Sequence, residues 1–333
     1  MTKTPLLVTH DGSVDEFASI ALLCGADFQA HYDIRGVVVI NGDTLGVPAY
    51  YCTKRILNMC GQAQVPVGLS AARAINGFPW AYRQFPLILN TLPALPEIPG
   101  LDCQVIPDGD ALLANVMTGA AEGELVVLNL GGLTPFAQVA GALNLWHKVK
   151  SMFWMGGVLG EDTLGNIDAG IVPGAPQHSE WNVFFDPPAV QQVYDNCKPA
   201  EIYQFPLNVT NAYPNSADWI RGSLNPSARA GHQVVDFLAN AYAAVVPQGG
   251  ASLWDVVTTI GLMNSGNSAD VTFFSYTRSD VWVDSAYGPN EGRLMPAISG
   301  GGRAINVAEQ QATADAVRAY ALQQWESIAN HDR

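Results

Sequence analysis

Six short apolar runs punctuate the first two-thirds of the chain: "PLLVT" (5–9), "IRGVVVI" (34–40), "VPVG" (65–68), "ELVVLNL" (124–130), "SMFWM" (151–155) and "EIYQF" (201–205). They have strand length, and several are separated by stretches with apolar residues at helical spacing, such as 15–24 and 109–121. Strands apolar on both faces and alternating with helices predict an α/β fold, an open, mostly parallel central sheet flanked by helices. The last third reads as more helical, with apolar residues at helix spacing over 227–246 and 307–330. No repeat or linker-like shift interrupts the pattern, and "NTLPALPEIPG" (90–100) reads as a proline-rich loop, so 1–333 is expected to form one domain.

In an open α/β sheet ligands bind outside the carboxyl ends of the strands. The residues expected there are Asp11 after the first run, Asn41 and Asp43 after the second, Gly131-Gly132 after the fourth and Gly156-Gly157 after the fifth. The first junction, "LLVTHDGSVDEFASIALL" (6–23), is the most informative, because it drives a strand into three acids, Asp11, Asp15 and Glu16, before an apolar helix. Ser13 and Glu16 have the spacing of a capping box, and acids in a first helical turn complement the helix dipole. Asp11 caps nothing, and its charge beside two others calls for a neutralising group. Asp11 and Glu16 can face one hard cation, and Asp255, opening the apolar helix of "SLWDVVTTIG" (252–261), is a further candidate ligand. Read alone, Asp255 is better explained as a first-turn acid favoured by the dipole.

Composition narrows the partners. The 333 residues are 48% apolar, and 16 Lys and Arg against 30 Asp and Glu leave a formal net charge of −14, which argues against nucleic acid or an anionic membrane. Five cysteines without a C-x-x-C indicate reduced, mostly buried thiols rather than a disulfide framework or zinc site. The apolar run before Thr9 is too short for a signal-peptide core, and no 18-residue apolar span occurs, so a soluble cytoplasmic protein is expected. The turn "HDGSVD" lacks the glycines of a dinucleotide-binding loop, and its acids would repel pyrophosphate. A haloacid-dehalogenase phosphatase would need an aspartate nucleophile where Thr9 stands.

"THDGSVDEF" resembles the N-terminal signature of the nucleoside hydrolases, D-x-D-x-G-x-D-D or close to it. "NGFPWAYR" (76–83), "LNLGGLTPFA" (128–137), "FWMGGV" (153–158), "HSEWNVFFDP" (178–187), "LNVTN" (207–211) and "LWDVVT" (253–258) follow in that family's order and approximate spacing. The chain is most similar to the purine-preferring branch. The resemblance implies a Rossmann-like nucleoside hydrolase fold, a homodimer, and calcium-dependent hydrolysis of the N-glycosidic bond of purine ribonucleosides. It makes Asp11 the metal-binding general base, with Glu16, the Leu130 carbonyl and Asp255 as the other Ca2+ ligands. It places Asp15, Asn166, Glu180 and Asn182 at ribose contacts, with Asp255 also facing substrate. Ser13 stands where that branch has an asparagine, and Asn41 where it has an aspartate near the base. Tyr82 and Trp254 fall where aromatic rings cover the two faces of the base, and Trp254 occupies the position of a histidine acid in the pyrimidine-accepting branch, so it is expected to assist catalysis through stacking.

Two departures stand out: Thr9 replaces the first aspartate of the signature, and Glu16 the second of its final pair. They motivate an alternative, a catalytically weakened, calcium-dependent nucleoside-binding protein. Glu180 and Asn182 read otherwise as loop or cap residues, Asn166 as a turn asparagine, Gly156-Gly157 as tight packing, Trp80 as core or pocket, and His10 as structural.

Overall fold

The computed structural model describes residues 2–80, 83–160, 162–167, 172, 174–198, 200–224, 231–245, 252–264, 272–297 and 302–330. Its strands are β1 (Thr4–His10), β2 (Tyr32–Val39), β3 (Val67–Leu69), β4 (Leu125–Leu130), β5 (Val149–Met155), β6 (Glu201–Phe205), β7 (Phe274–Val283), β8 (Leu294–Pro296) and β9 (Arg303–Gln310). They form one sheet in the order β3-β2-β1-β4-β5-β6-β9-β7-β8. Pairing is parallel from β3 through β9, and β7 is antiparallel to both of its neighbours.

The helices are α1 (Val14–Leu22), α2 (Ala26–His31), α3 (Gly46–Met59), α4 (Phe85–Asn90), α5 (Gly109–Gly119), α6 (Thr134–Ala142), α7 (Trp181–Phe184), α8 (Pro187–Asn196), α9 (Leu207–Thr210), α10 (Ala217–Gly222), α11 (Gln233–Val245), α12 (Trp254–Asn264) and α13 (Ala314–Glu326). Strand alternation sorts the side chains onto two cores. Leu6 and Val8 of β1 and Val126 and Leu128 of β4 join α1, α3, α11, α12 and α13 on one face. Leu7, Leu125 and Val127 join α5, α6 and α8 on the other. Since β1 pairs with β2 on one side and β4 on the other, and α1 and α6 lie on opposite faces, the crevice at a topological switch point opens over the ends of β1 and β4.

All six strands expected from the apolar runs are present. The long helix expected over 307–330 begins only at Ala314, because 303–310 form β9, wedged between β6 and β7. Ile305 and Val307 of β9 pack into the second core, so sheet pairing overrides the helical spacing read there. β7 was not anticipated from sequence either. Its middle is exposed, with buried side chains only at its ends, Phe274 and Val281 with Val283, so it gives no apolar run. The helix expected over 227–246 is α11, and 225–230 and 246 lie outside the described residues. Among the described residues no helix is long and apolar enough to cross a membrane. Four cysteines are buried and Cys103 is exposed, all as free thiols.

Candidate active site

The chain leaves β1 at His10 and turns into α1 through Gly12, whose φ of +87° suits glycine and where a Cβ would stand 2.5 Å from that of Ala49. This sharp turn holds Asp11, 1% exposed, at the end of the strand. The Asp43 backbone N–H donates to Asp11 Oδ2 at 3.2 Å, and the Thr44 hydroxyl donates to the Asp11 carbonyl at 2.5 Å. Two glycines complete the cradle. A Cβ on Gly42 would lie 2.1 Å from Asp11 Oδ2, and one on Gly131, just after β4, 3.0 Å from its Cγ.

Ser13 is the N-cap of α1, yet its side chain makes no capping bond, so the capping box does not form. The Glu16 carboxylate instead turns into a cluster of acids. Oxygens of Asp11, Glu16 and Asp43 lie within 4.8 Å of one another, and so do oxygens of Asp15, Glu16 and Asp255. Asp255 arrives on the first turn of α12, and its backbone N–H donates to Asp15 Oδ2 at 3.2 Å. Two helix N-termini therefore meet at the cluster, where their dipoles favour negative charge.

Burial pushes the carboxyls of Asp11 and Asp15 upward; for Glu16, Asp43 and Asp255 it does so strongly, reinforced by the charges of neighbouring acids. Buried carboxylates this close require a cation or bound protons. Glu16 Oε2, Asp43 Oδ1 and Asp255 Oδ1 are buried without a hydrogen-bond partner, so the donor set matches a hard, oxygen-preferring metal. Leu130 ends β4 opposite His10, within one residue of the Asp11 cradle.

The other candidates surround this floor. Glu180, 2% exposed, caps α7 and also accepts from the Gly157 backbone N–H at 2.8 Å. Burial, with a smaller contribution from the Asp11 charge, raises its pKa to about 7. Gly157, with φ of +83°, thus positions a carboxylate, whereas Gly156 packs tightly on Trp154. Asn166 Oδ1 accepts from the Trp181 N–H at 3.1 Å, and Asn182 Nδ2 donates to the Met155 carbonyl at 3.1 Å. Asn41 donates to the Ser70 and Ala72 carbonyls, bracing the wall of a cleft of about 750 Å³ that also includes Arg73, Asn76, Phe78 and Arg83. The Trp254 indole N–H donates to Asn211 Oδ1 at 2.9 Å. Trp80 is neither core nor enclosed, at 73% exposure. Tyr82 lies outside the described residues.

His10 is structural. It is fully buried, with Nε2 3.0 Å from the Thr53 hydroxyl, and burial alone lowers its pKa to about 3. The acid that sequence reasoning placed at a strand end without a role is Asp43. Its signal was position alone, since the family's signature does not extend to it.

Residues 6–325 match the family model of the inosine-uridine preferring nucleoside hydrolases. The structure of an inosine-uridine preferring nucleoside hydrolase from Bacillus anthracis is 26% identical, with a TM-score of 0.82 over 98% of this chain and 100% of that one. A purine-preferring ribonucleoside hydrolase from Gardnerella vaginalis shares the fold at 17% identity and a TM-score of 0.72, over 98% of this chain and 100% of that one. A plant nucleoside hydrolase shares it at 17% and 0.74, over 97% and 99%. Among curated proteins no sequence matches. Because the family match runs from the first strand into the last helix and takes in both helices that carry the acids, the chain belongs to the inosine-uridine preferring nucleoside hydrolase family and is a glycosidase of the N-glycosidic bond of nucleosides.

Proposed function

We propose that the protein hydrolyses purine ribonucleosides to free base and ribose, with Ca2+ held by Asp11, Glu16, Asp255 and the Leu130 carbonyl. The supporting observation is the meeting of α1 and α12 N-termini over the end of β1, with orphaned carboxylate oxygens on Glu16 and Asp255. Calcium tolerates variable geometry, so the extra methylene of Glu16 is accommodated, which favours an active enzyme over a decayed binding protein. When bound, the cation would acidify a water and anchor ribose hydroxyls.

The chain's own groups divide the remaining work. Asp11 takes the proton of the attacking water, its carboxylate held at a fixed angle by the Asp43 N–H and enclosed by Gly42 and Gly131. Asp15, Asn166, Glu180 and Asn182 contact the ribose, and their negative charge and dipoles favour the positive charge that develops on the sugar ring as the bond to the base breaks. Ser13 and Asn41 border the substrate. Trp254, its indole pinned by Asn211, stacks on the base, and an aromatic face favours a purine gaining a proton at N7. The protein is proposed to act as a cytoplasmic homodimer.

Incubation with inosine, adenosine, guanosine and uridine, followed by chromatography of the released base, tests this directly. Purine nucleosides should be cleaved with far higher kcat/KM than uridine, and a strong chelator should abolish turnover. Equal efficiency on uridine and inosine would reject the purine assignment alone. No release from any nucleoside, with calcium present, would reject the activity.

A further inference from the structure

Asp43 lies on the loop between β2 and α3, where three consecutive residues are built against Asp11. Gly42 leaves room for its carboxylate, the Asp43 N–H donates to Oδ2, and the Thr44 hydroxyl donates to its carbonyl. The Asp43 side chain then brings its own oxygen within 4.8 Å of oxygens on Asp11 and Glu16, with Oδ1 buried and unpartnered. A loop that adds a like charge to a buried acidic pair is unfavourable unless something positive lies between them. Glu16, 2% exposed and with an orphaned Oε2, belongs to both carboxylate groups and joins them.

Two further unpartnered polar groups lie on the strands that lead to Asp11 and Leu130. Thr9 and Asn129 are register neighbours on β1 and β4, and Thr9 Oγ1 and Asn129 Nδ2 are both buried without partners. An amide N–H without an acceptor, beside the residue at which the signature carries an aspartate, marks the place of a missing carboxylate. The signature's first acid is absent two residues before Asp11, while the loop after β2 brings the Asp43 carboxylate close to it.

We propose that Asp43 is a working carboxylate of the cation site and stands in for the acid absent at position 9. The inference rests on the proposed cation reading. Its test is calcium affinity, measured on the full-length, metal-stripped protein by calorimetry and by competition with terbium luminescence.

Asp43→Asn should weaken calcium binding at least tenfold, and adding Thr9→Asp should recover most of that loss, since the new carboxylate meets the Asn129 amide. A loss caused merely by a disturbed loop would not respond to a substitution on a different strand. Calcium binding of Asp43→Asn within twofold of wild type overturns the proposal, as does a loss that Thr9→Asp leaves unchanged. Circular dichroism of the metal-free variants checks folding, and Asp43→Ser replaces Asp43→Asn if the latter does not fold. Wild type that binds no divalent cation overturns this inference and the proposed cofactor together, whereas equal binding by wild type and Asp43→Asn overturns this inference alone.

Discussion

At the residue scale, the cradle of Asp11 carries the sharpest expectation. Gly42→Ala places a methyl 2.1 Å from Asp11 Oδ2, so the carboxylate must leave its position. Steady-state assays should show a loss approaching that of Asp11→Asn, for which removal of a general base predicts ~10²–10⁴-fold in kcat. Turnover within fivefold of wild type would mean that Asp11 does not act from where it sits. His10, next to it, reports on stability. Its pKa is lowered from 6.5 to about 3, so between those values the unfolded chain binds a proton that the folded chain refuses. Stability from this group is complete above 6.5 and is lost as pH falls toward 3, at up to ~1.4 kcal/mol per pH unit. Glu180 tilts the other way, because its rise from 4.5 to about 7 leaves a proton on the folded chain that the unfolded chain has released. The two slopes oppose one another between 4.5 and 6.5, so urea titrations of wild type and His10→Gln should be compared across pH 4–8. The wild-type advantage should shrink as the solution is acidified.

At the element scale, α12 links the proposed cation site to the proposed base site. Its first residue is Trp254 and its second Asp255, so one helix start sets both the ring proposed to stack and a carboxylate of the cluster. Trp254→Ala should lower kcat on inosine rather than only raise KM, since a stacked ring assists departure of the base. An effect confined to KM would reduce Trp254 to a binding surface. Much of this scale was legible in the sequence. β1 to β6 announced themselves as apolar runs because both faces are covered, and Asp11 because an acid at a strand end had no other explanation. The capping box was legible and wrong, since S-x-x-E spacing cannot tell a Glu that turns back to the cap from one drawn into a cluster. β7 and β9 were hidden because they are partly exposed and gain their order from pairing rather than from apolar content. Asp43 was legible as a strand-end residue, but its role was not, because that depends on its neighbours in space.

At the scale of the whole molecule, four buried carboxyls and the half-buried Asp43 are all raised above their usual range, so a cation that offsets their charge would favour the folded chain. A ligand that binds only the folded chain stabilises it by RT ln(1 + [L]/Kd), about 4 kcal/mol at a thousandfold excess over Kd. Calcium added to stripped protein should therefore raise Tm by several degrees, and calorimetry that finds no shift would remove the cation from the account. The hydrogen bond that closes the cluster, from Asp255 N–H to Asp15, spans 240 positions of the chain. At ~5–20 residues per second, a ribosome that has finished Asp15 needs roughly 12–48 s to deliver its partner. During that interval the acids of α1 stand without the helix that completes their site. On the proposed cation reading the nascent chain acquires its affinity for the ion late in synthesis, and a product cut short before α12 lacks one acid of the cluster however well its first strands have paired.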